Sequence, residues 1–166
     1  MSAQTRYSYS TPMGAPGGIV DLAPHAIDTF LNEENTGVMK PGFGVVYGTT
    51  PGVNIKLPVS GKTAANFAGI VTNNRTTEYD LEGAIHVRKG AAMGVMRYGR
   101  IYGRVPADTE IAYGDPVKLI ITGDHAGKFC ATAPTGASTV NIKGRFLSTV
   151  DTTTEVAMIE LFNEAQ

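Results

Sequence analysis

The sequence predicts an all-β fold, a barrel or sandwich of about nine short strands with an extended N-terminal arm. Three observations carry this. Glycine is 20 of 166 residues, about 12% against a usual ~7%, so tight turns are frequent. Thr, Val, Ile and Tyr recur in short runs bounded by Gly and Pro, the usage of pleated, half-buried strands. The runs follow one another at short spacing, which favours a barrel or sandwich over βαβ units.

Residues 1–35 read as the arm and 36–166 as the β domain. Pro12, Pro16 and Pro24 fix φ and push their preceding residues toward extended backbone, while Gly14, Gly17 and Gly18 loosen the chain between them. Residues 21–35 have apolar spacing too irregular for more than one helical turn. The first strand is Phe43–Tyr47, opened by Pro41-Gly42 and closed by Gly48. Residues 53–57 alternate apolar and polar, as a half-buried strand does. Residues 67–72 form a nearly continuous apolar run, fitting a strand covered on both faces. A short strand over 84–87 follows. Residues 91–105 then read as two strands broken near Gly99-Arg100. Tyr113-Gly114-Asp115-Pro116 is a turn, 117–122 a strand, and 123–127 a glycine-bearing hairpin loop from which 128–132 returns. The last two strands fall at 142–149 and 156–162.

Composition narrows the function classes. Fourteen Lys+Arg against fifteen Asp+Glu leave a net charge of −1, which gives no basic footprint for nucleic acid and no polybasic surface for a membrane. No apolar run approaches the ~20 residues of a membrane helix. The first residues lack the continuous apolar core of a secretory leader. The lone cysteine, Cys130, excludes an intrachain disulfide and reads as a small buried strand residue.

Chemical motifs fail at named positions. Gly61-Lys62-Thr63 ends like a phosphate loop, but the glycine required five residues before Gly61 is Lys56, and a strand follows instead of a helix. His25, His86 and His125 lie far apart, with no partner at metal-ligand spacing. No serine sits in a Gly-x-Ser-x-Gly elbow. The pairs Asp80/Glu82 and Glu33/Glu34 read as solvated carboxylates. No cofactor and no catalytic residue is expected. The stretch Arg97–Arg104 (RYGRIYGR) carries Arg97, Arg100 and Arg104 with Tyr98 and Tyr102. It reads as a twisted hairpin with outward arginines, or arginines paired with a neighbour's carboxylates, in preference to a nucleic-acid surface.

The order of several segments resembles the structural cement proteins of tailed-phage heads. They are Tyr7-Ser8-Tyr9 with its Pro/Gly lead, Pro41-Gly42-Phe43-Gly44-Val45, Phe67-Ala68-Gly69-Ile70, residues 91–105, Tyr113-Gly114-Asp115-Pro116-Val117 and Gly144-Arg145-Phe146-Leu147. The resemblance implies a capsid decoration protein on the outer face of the major capsid protein lattice, often trimeric. It implies the virion as its place, with synthesis in the host cytoplasm. Its partners would be the major capsid protein and copies of itself. The family has no catalytic residues to carry over. Physics supports the role of the arm: about 30 residues, even half extended at ~3.3–3.6 Å each, outreach a domain of ~35 Å breadth. Such an arm would bury Tyr7, Tyr9, Met13, Ile19 and Val20 on a neighbour, and Arg97 and Arg100 are the further candidate contacts. Two other readings fit the same features: a tail or connector component of the virion, and a small β-barrel enzyme or ligand-binding module.

Overall fold

The computed structural model describes residues 14–73, 77–79, 83 and 85–163. Eleven strands are formed among them: β1 (Ala26–Asn32), β2 (Gly44–Tyr47), β3 (Asn54–Lys56), β4 (Phe67–Val71), β5 (Thr77–Tyr79), β6 (Ile85–Val87), β7 (Ala92–Arg104), β8 (Pro116–Ile120), β9 (Phe129–Cys130), β10 (Thr139–Phe146) and β11 (Val156–Leu161). Nine of them make one sheet in the order β1-β3-β2-β4-β7-β11-β10-β8-β9, and β5 and β6 make a separate hairpin. Because β1 also pairs with β7, the strands β1-β3-β2-β4-β7 close into a five-stranded barrel. Closure removes the open edges that a flat sheet would expose.

The all-β reading holds, and three elements differ from the sequence expectation. The segment 26–32, assigned to the arm, is barrel strand β1. Its pattern hides it: only Phe30 and the polar Asn32 are buried, while Ile27 and Leu31 stay about 40% exposed. Asn32 is buried and satisfied, its Nδ2 donating to the Val87 and Arg88 carbonyls at 3.4 and 3.1 Å and its Oδ1 accepting from the Glu34 amide at 3.0 Å. Residues 91–105 are one strand, not two. Gly99 has a φ of 123°, and the strand bends through it without stopping. A Cβ there would meet the His25 side chain at 2.5 Å, so only glycine lets the chains approach. Thirdly, β5 completes a hairpin with β6.

The long strand β7 divides the core. Its first half packs inward on the barrel, whose buried cluster includes Phe30, Val45, Ile55, Val71, Met93 and Val95. Its second half joins β11, β10, β8 and β9 over a second cluster with Ile101, Leu119, Phe129, Phe146 and Ile159. Ile70 and Val71 are neighbours in β4 that serve different clusters, as the pleat requires. The two cores meet where Gly44 and Gly103 pack against the Phe129 ring.

Candidate functional site

The first described residues are fastened to the domain. Ala15-Pro16-Gly17-Gly18 is a tight turn with Gly17 at φ 76° and the Gly18 amide donating to the Ala15 carbonyl at 2.9 Å. Proline second and glycine third is the chemistry of a type II turn. The chain then runs antiparallel along β7. Gly17 N–H donates to Tyr102 O (2.7 Å), Tyr102 N–H to Gly18 O (3.0 Å) and Val20 N–H to Arg100 O (3.0 Å), while Ile19 faces Ile101. A second Pro-Gly turn, Lys40-Pro41-Gly42-Phe43, lies against the first. Gly17 has room for no side chain because Pro41 Cβ would stand 2.9 Å from it, and Gly42 is closed in by Pro16 and Arg104. Arg104 Nε donates to the Pro41 carbonyl at 2.9 Å, and its guanidinium lies 5.8 Å from the Phe43 ring centre. Burial pushes the Arg104 pKa down, partly offset by the charge of Glu155.

Of the predicted contact residues, Ile19 and Val20 lie in this fastened lead, paired to their own domain, with Ile19 still 43% exposed. Tyr7, Tyr9 and Met13 fall outside the described residues, as do Asp80 and Glu82 of the candidate carboxylate pair. Arg97 and Arg100 are both on β7, and their carboxylate partners belong to the same chain. Arg97 Nη1 lies 3.3 Å from Asp28 Oδ2 in an exposed pair. Arg100 bridges Asp21 (2.8 Å) and Glu160 (3.0 Å), and Arg145 holds the other Glu160 oxygen at 2.7 Å. The hydrogen bond from Arg100, with the Ala23 amide, holds the Asp21 carboxyl below its ordinary range. Burial pushes Glu160 up, but the hydrogen bonds from Arg100 and Arg145 outweigh it and leave the group lowered. Sequence reasoning missed these partners because Asp21, Asp28 and Glu160 stand 79, 69 and 60 positions from their arginines, and no local signal spans that separation.

Other candidates resolve into structural roles. Glu33 accepts from the Thr49 amide at 2.7 Å and Glu34 from the Leu57 amide at 3.0 Å, so each carboxylate ties down a turn. Gly61-Lys62-Thr63 is a turn leading into a three-residue 3-10 turn, Ala64–Asn66, and then β4. Cys130 is fully buried, and desolvation pushes its thiol up to about 11. Among the described residues no group of three or more His, Cys, Asp or Glu side chains is placed to hold a metal.

On β7, Tyr98, Arg100, Tyr102 and Arg104 alternate with buried Gly99, Ile101 and Gly103, so the four share one outer face. A cleft of about 560 Å³ opens beside it. It runs from Ala26 and Phe67 past Tyr98 to Ile142 on β10 and Leu161 and Phe162 at the end of β11. A shallower depression continues it along Arg100 and Glu160 toward Pro24. The geometry offers surfaces and a groove, with Arg97 and Arg100 paired to carboxylates and, among the described residues, no cluster of three or more His, Cys, Asp or Glu.

The fold is a two-lobed, all-β domain. Residues 3–162 match the family described as structural cement protein (E217 gp24/Pam3 gp6), and the chain belongs to that family. No curated protein matches the chain. Among solved structures it is similar to a chain described as the capsid of Myoviridae phage XM1. The identity is 18% and the TM-score 0.70, covering 97% of this chain and 98% of that one. That likeness speaks for the fold, and the family places the protein among the structural cement proteins of phages.

Proposed function

We propose that the protein is a non-catalytic decoration protein that binds the outer face of the major capsid protein lattice and stabilises the phage head. The family match over 3–162 carries this reading. The fold is compatible with it, with a domain built on two cores and the lead fastened to β7 at Gly17, Gly18 and Val20. In this reading the protein acts as a homotrimer on the virion exterior after synthesis in the host cytoplasm. Tyr7, Tyr9 and Met13, with exposed Ile19, are offered to neighbouring subunits. Arg97 and Arg100 contribute at the rim, where their internal pairing keeps them ordered.

The test is binding to heads assembled from the major capsid protein alone. Purified protein should decorate them saturably and raise the temperature at which they rupture, and its mass in solution should be that of three chains. Absence of binding to intact heads, with binding to tails or connectors, would overturn the lattice assignment. A chain lacking residues 2–13 should fold and bind more weakly. Full occupancy by that variant would remove the arm from the contact and leave the rest of the reading standing.

A further inference from the structure

Two stretches of chain pair antiparallel with successive parts of β7. The lead bonds to Arg100 and Tyr102 with Ile19 opposite Ile101, and β1 begins with Ala26 opposite Tyr98. From Ile19 to Ala26 the chain advances seven residues while β7 advances three, so four are spare. They amount to about 13 Å of strand at ~3.3 Å each, and they form an excursion over residues 21–25. Its own bonds are short-range: the Ala23 amide donates to Asp21 Oδ1 at 2.9 Å, and His25 Nδ1 lies 2.9 Å from the Ala23 carbonyl. Leu22 is 97% exposed, an apolar side chain left in water. The ends of the excursion are held by the partly exposed Asp21–Arg100 pair and by His25 against Gly99. The contacts that seat the lead are made within residues 14–21. Besides its bonds to β7, the Gly17 carbonyl accepts from the Asn73 amide at 2.8 Å, Gly14 sits on the Tyr102 ring, and Pro16 stands beside Gly42. An edge strand joined to its domain by a short, lightly held connection is the kind of element that identical chains exchange.

We propose that in the assembled protein each lead occupies the seat on β7 of a neighbouring copy, with residues 22–24 drawn out as the connection. This deepens the proposed reading, in which copies of the chain are partners. The seat selects its occupant. A Cβ at Gly17 would stand 2.7 Å from both the Val71 carbonyl and the Asn73 amide nitrogen, so the position takes glycine, and the Pro16-Gly17 turn fits against Pro41-Gly42. A second copy carries the same lead. The exchanged contact therefore repeats the bonds of the closed one, and the choice between them falls on residues 22–24. Pro24 disfavours helical backbone at Ala23, which suits an extended connection. Asp21 travels with the lead, so its 2.8 Å pair with Arg100 becomes a bond between chains. The four steps from Asp21 to His25 span about 13 Å when extended, which brings the neighbour's seat close to the receiving chain's own. Passing each lead to the next copy closes a ring in which every seat is filled.

The test uses the full chain carrying both Val20→Cys and Arg100→Cys. The Val20 amide donates to the Arg100 carbonyl at 3.0 Å, and bonded antiparallel pairs have Cα atoms ~5.5 Å apart, within disulfide range. The refolded protein is oxidised with glutathione and run on a non-reducing gel. Links between chains should exceed links within a chain at least about 10-fold, since the facing pair has the high effective concentration. A second pair leaves Arg100 in place. Asp21 and Glu160 accept from the same Arg100 guanidinium, so Asp21→Cys with Glu160→Cys, joined by a short bismaleimide, should also link chain to chain. Links within single chains, at a mass of three chains, would overturn the exchange and leave the decoration reading standing. The same links at a mass of one chain would overturn it as well. Links between chains in a protein that does not bind heads would keep the exchange and remove the decoration reading.

Discussion

Truncating Phe129 to alanine tests whether the two cores are one cooperative unit. The ring is fully buried in the second cluster. It also faces two glycines: a Cβ at Gly44 would stand 2.6 Å from its Cζ, and one at Gly103 would stand 3.1 Å from its Cδ2. The hole left by Phe129→Ala is therefore walled partly by residues with no side chain to move in. Buried Phe→Ala changes cost about 3–5 kcal/mol, more where collapse is limited, so a loss of about 4–5 kcal/mol is expected. In urea unfolding with m near ~2 kcal/mol per M, the midpoint should fall by about 2 M with m unchanged. Tyrosine fluorescence and far-ultraviolet circular dichroism should give one coincident transition. A loss under about 2 kcal/mol would refute the sealed seam. Non-coincident transitions would show that the barrel and the second lobe unfold separately.

Three further outcomes follow from the same packing and ion pairs. Gly44→Ala should destabilise by about 1–3 kcal/mol through overpacking against Leu119 and Phe129, and adding Phe129→Leu should recover part of it in a double-mutant cycle, a coupling that additive losses would disprove. Glu160 has a folded pKa below its unfolded value near ~4.3, so its contribution is present above that pH and lost as pH falls through the lower folded value. The melting temperature of Glu160→Gln should thus fall less steeply than that of the parent between pH 5 and 3, and parallel curves would contradict the Arg100–Glu160–Arg145 network. Cys130, buried with its thiol pushed up to about 11, should resist a thiol reagent at pH 8 in the native protein. Labelling should proceed at the rate of opening, accelerated about 10³-fold by a ~4 kcal/mol loss in Phe129→Ala.

What was legible in the sequence depended on which face each strand buries. Strands β2, β3, β4, β8 and β11 carry their apolar residues inward, and their runs stand out. Strand β1 could not be read that way. Its buried positions are Phe30 and the polar Asn32, whose cost is met by the Val87 and Arg88 carbonyls, while Ile27 and Leu31 are exposed. Glycine misled at Gly99 for a related reason. In isolation it reads as a break, but here it admits the close approach of His25 and the strand continues. The arginines of β7 were visible as a cluster. Their pairing was not, since electrostatic partners meet through topology. The resemblance to the cement family succeeded because it used segment order over the whole chain, information that single-position chemistry lacks.

Strand β7 also suggests why this fold suits a structural cement protein. Thirteen residues at ~3.3 Å each give a rod of about 43 Å that runs unbroken through both lobes. On its first half it is bonded to β1 and β4, and on its second half to β11 and the fastened lead. A force drawing the two lobes apart along this axis loads the ladders on each half in shear, so the bonds of β1 and β4, or those of β11 and the lead, must break together. A force on the lead meets the paired Pro-Gly turns and the Asp21–Arg100–Glu160 bridge before it reaches the core. Two Gly-linked halves, as the sequence around Gly99 first reads, would instead hinge at the join. The continuous strand is therefore the feature that couples the lead to both lobes of the domain.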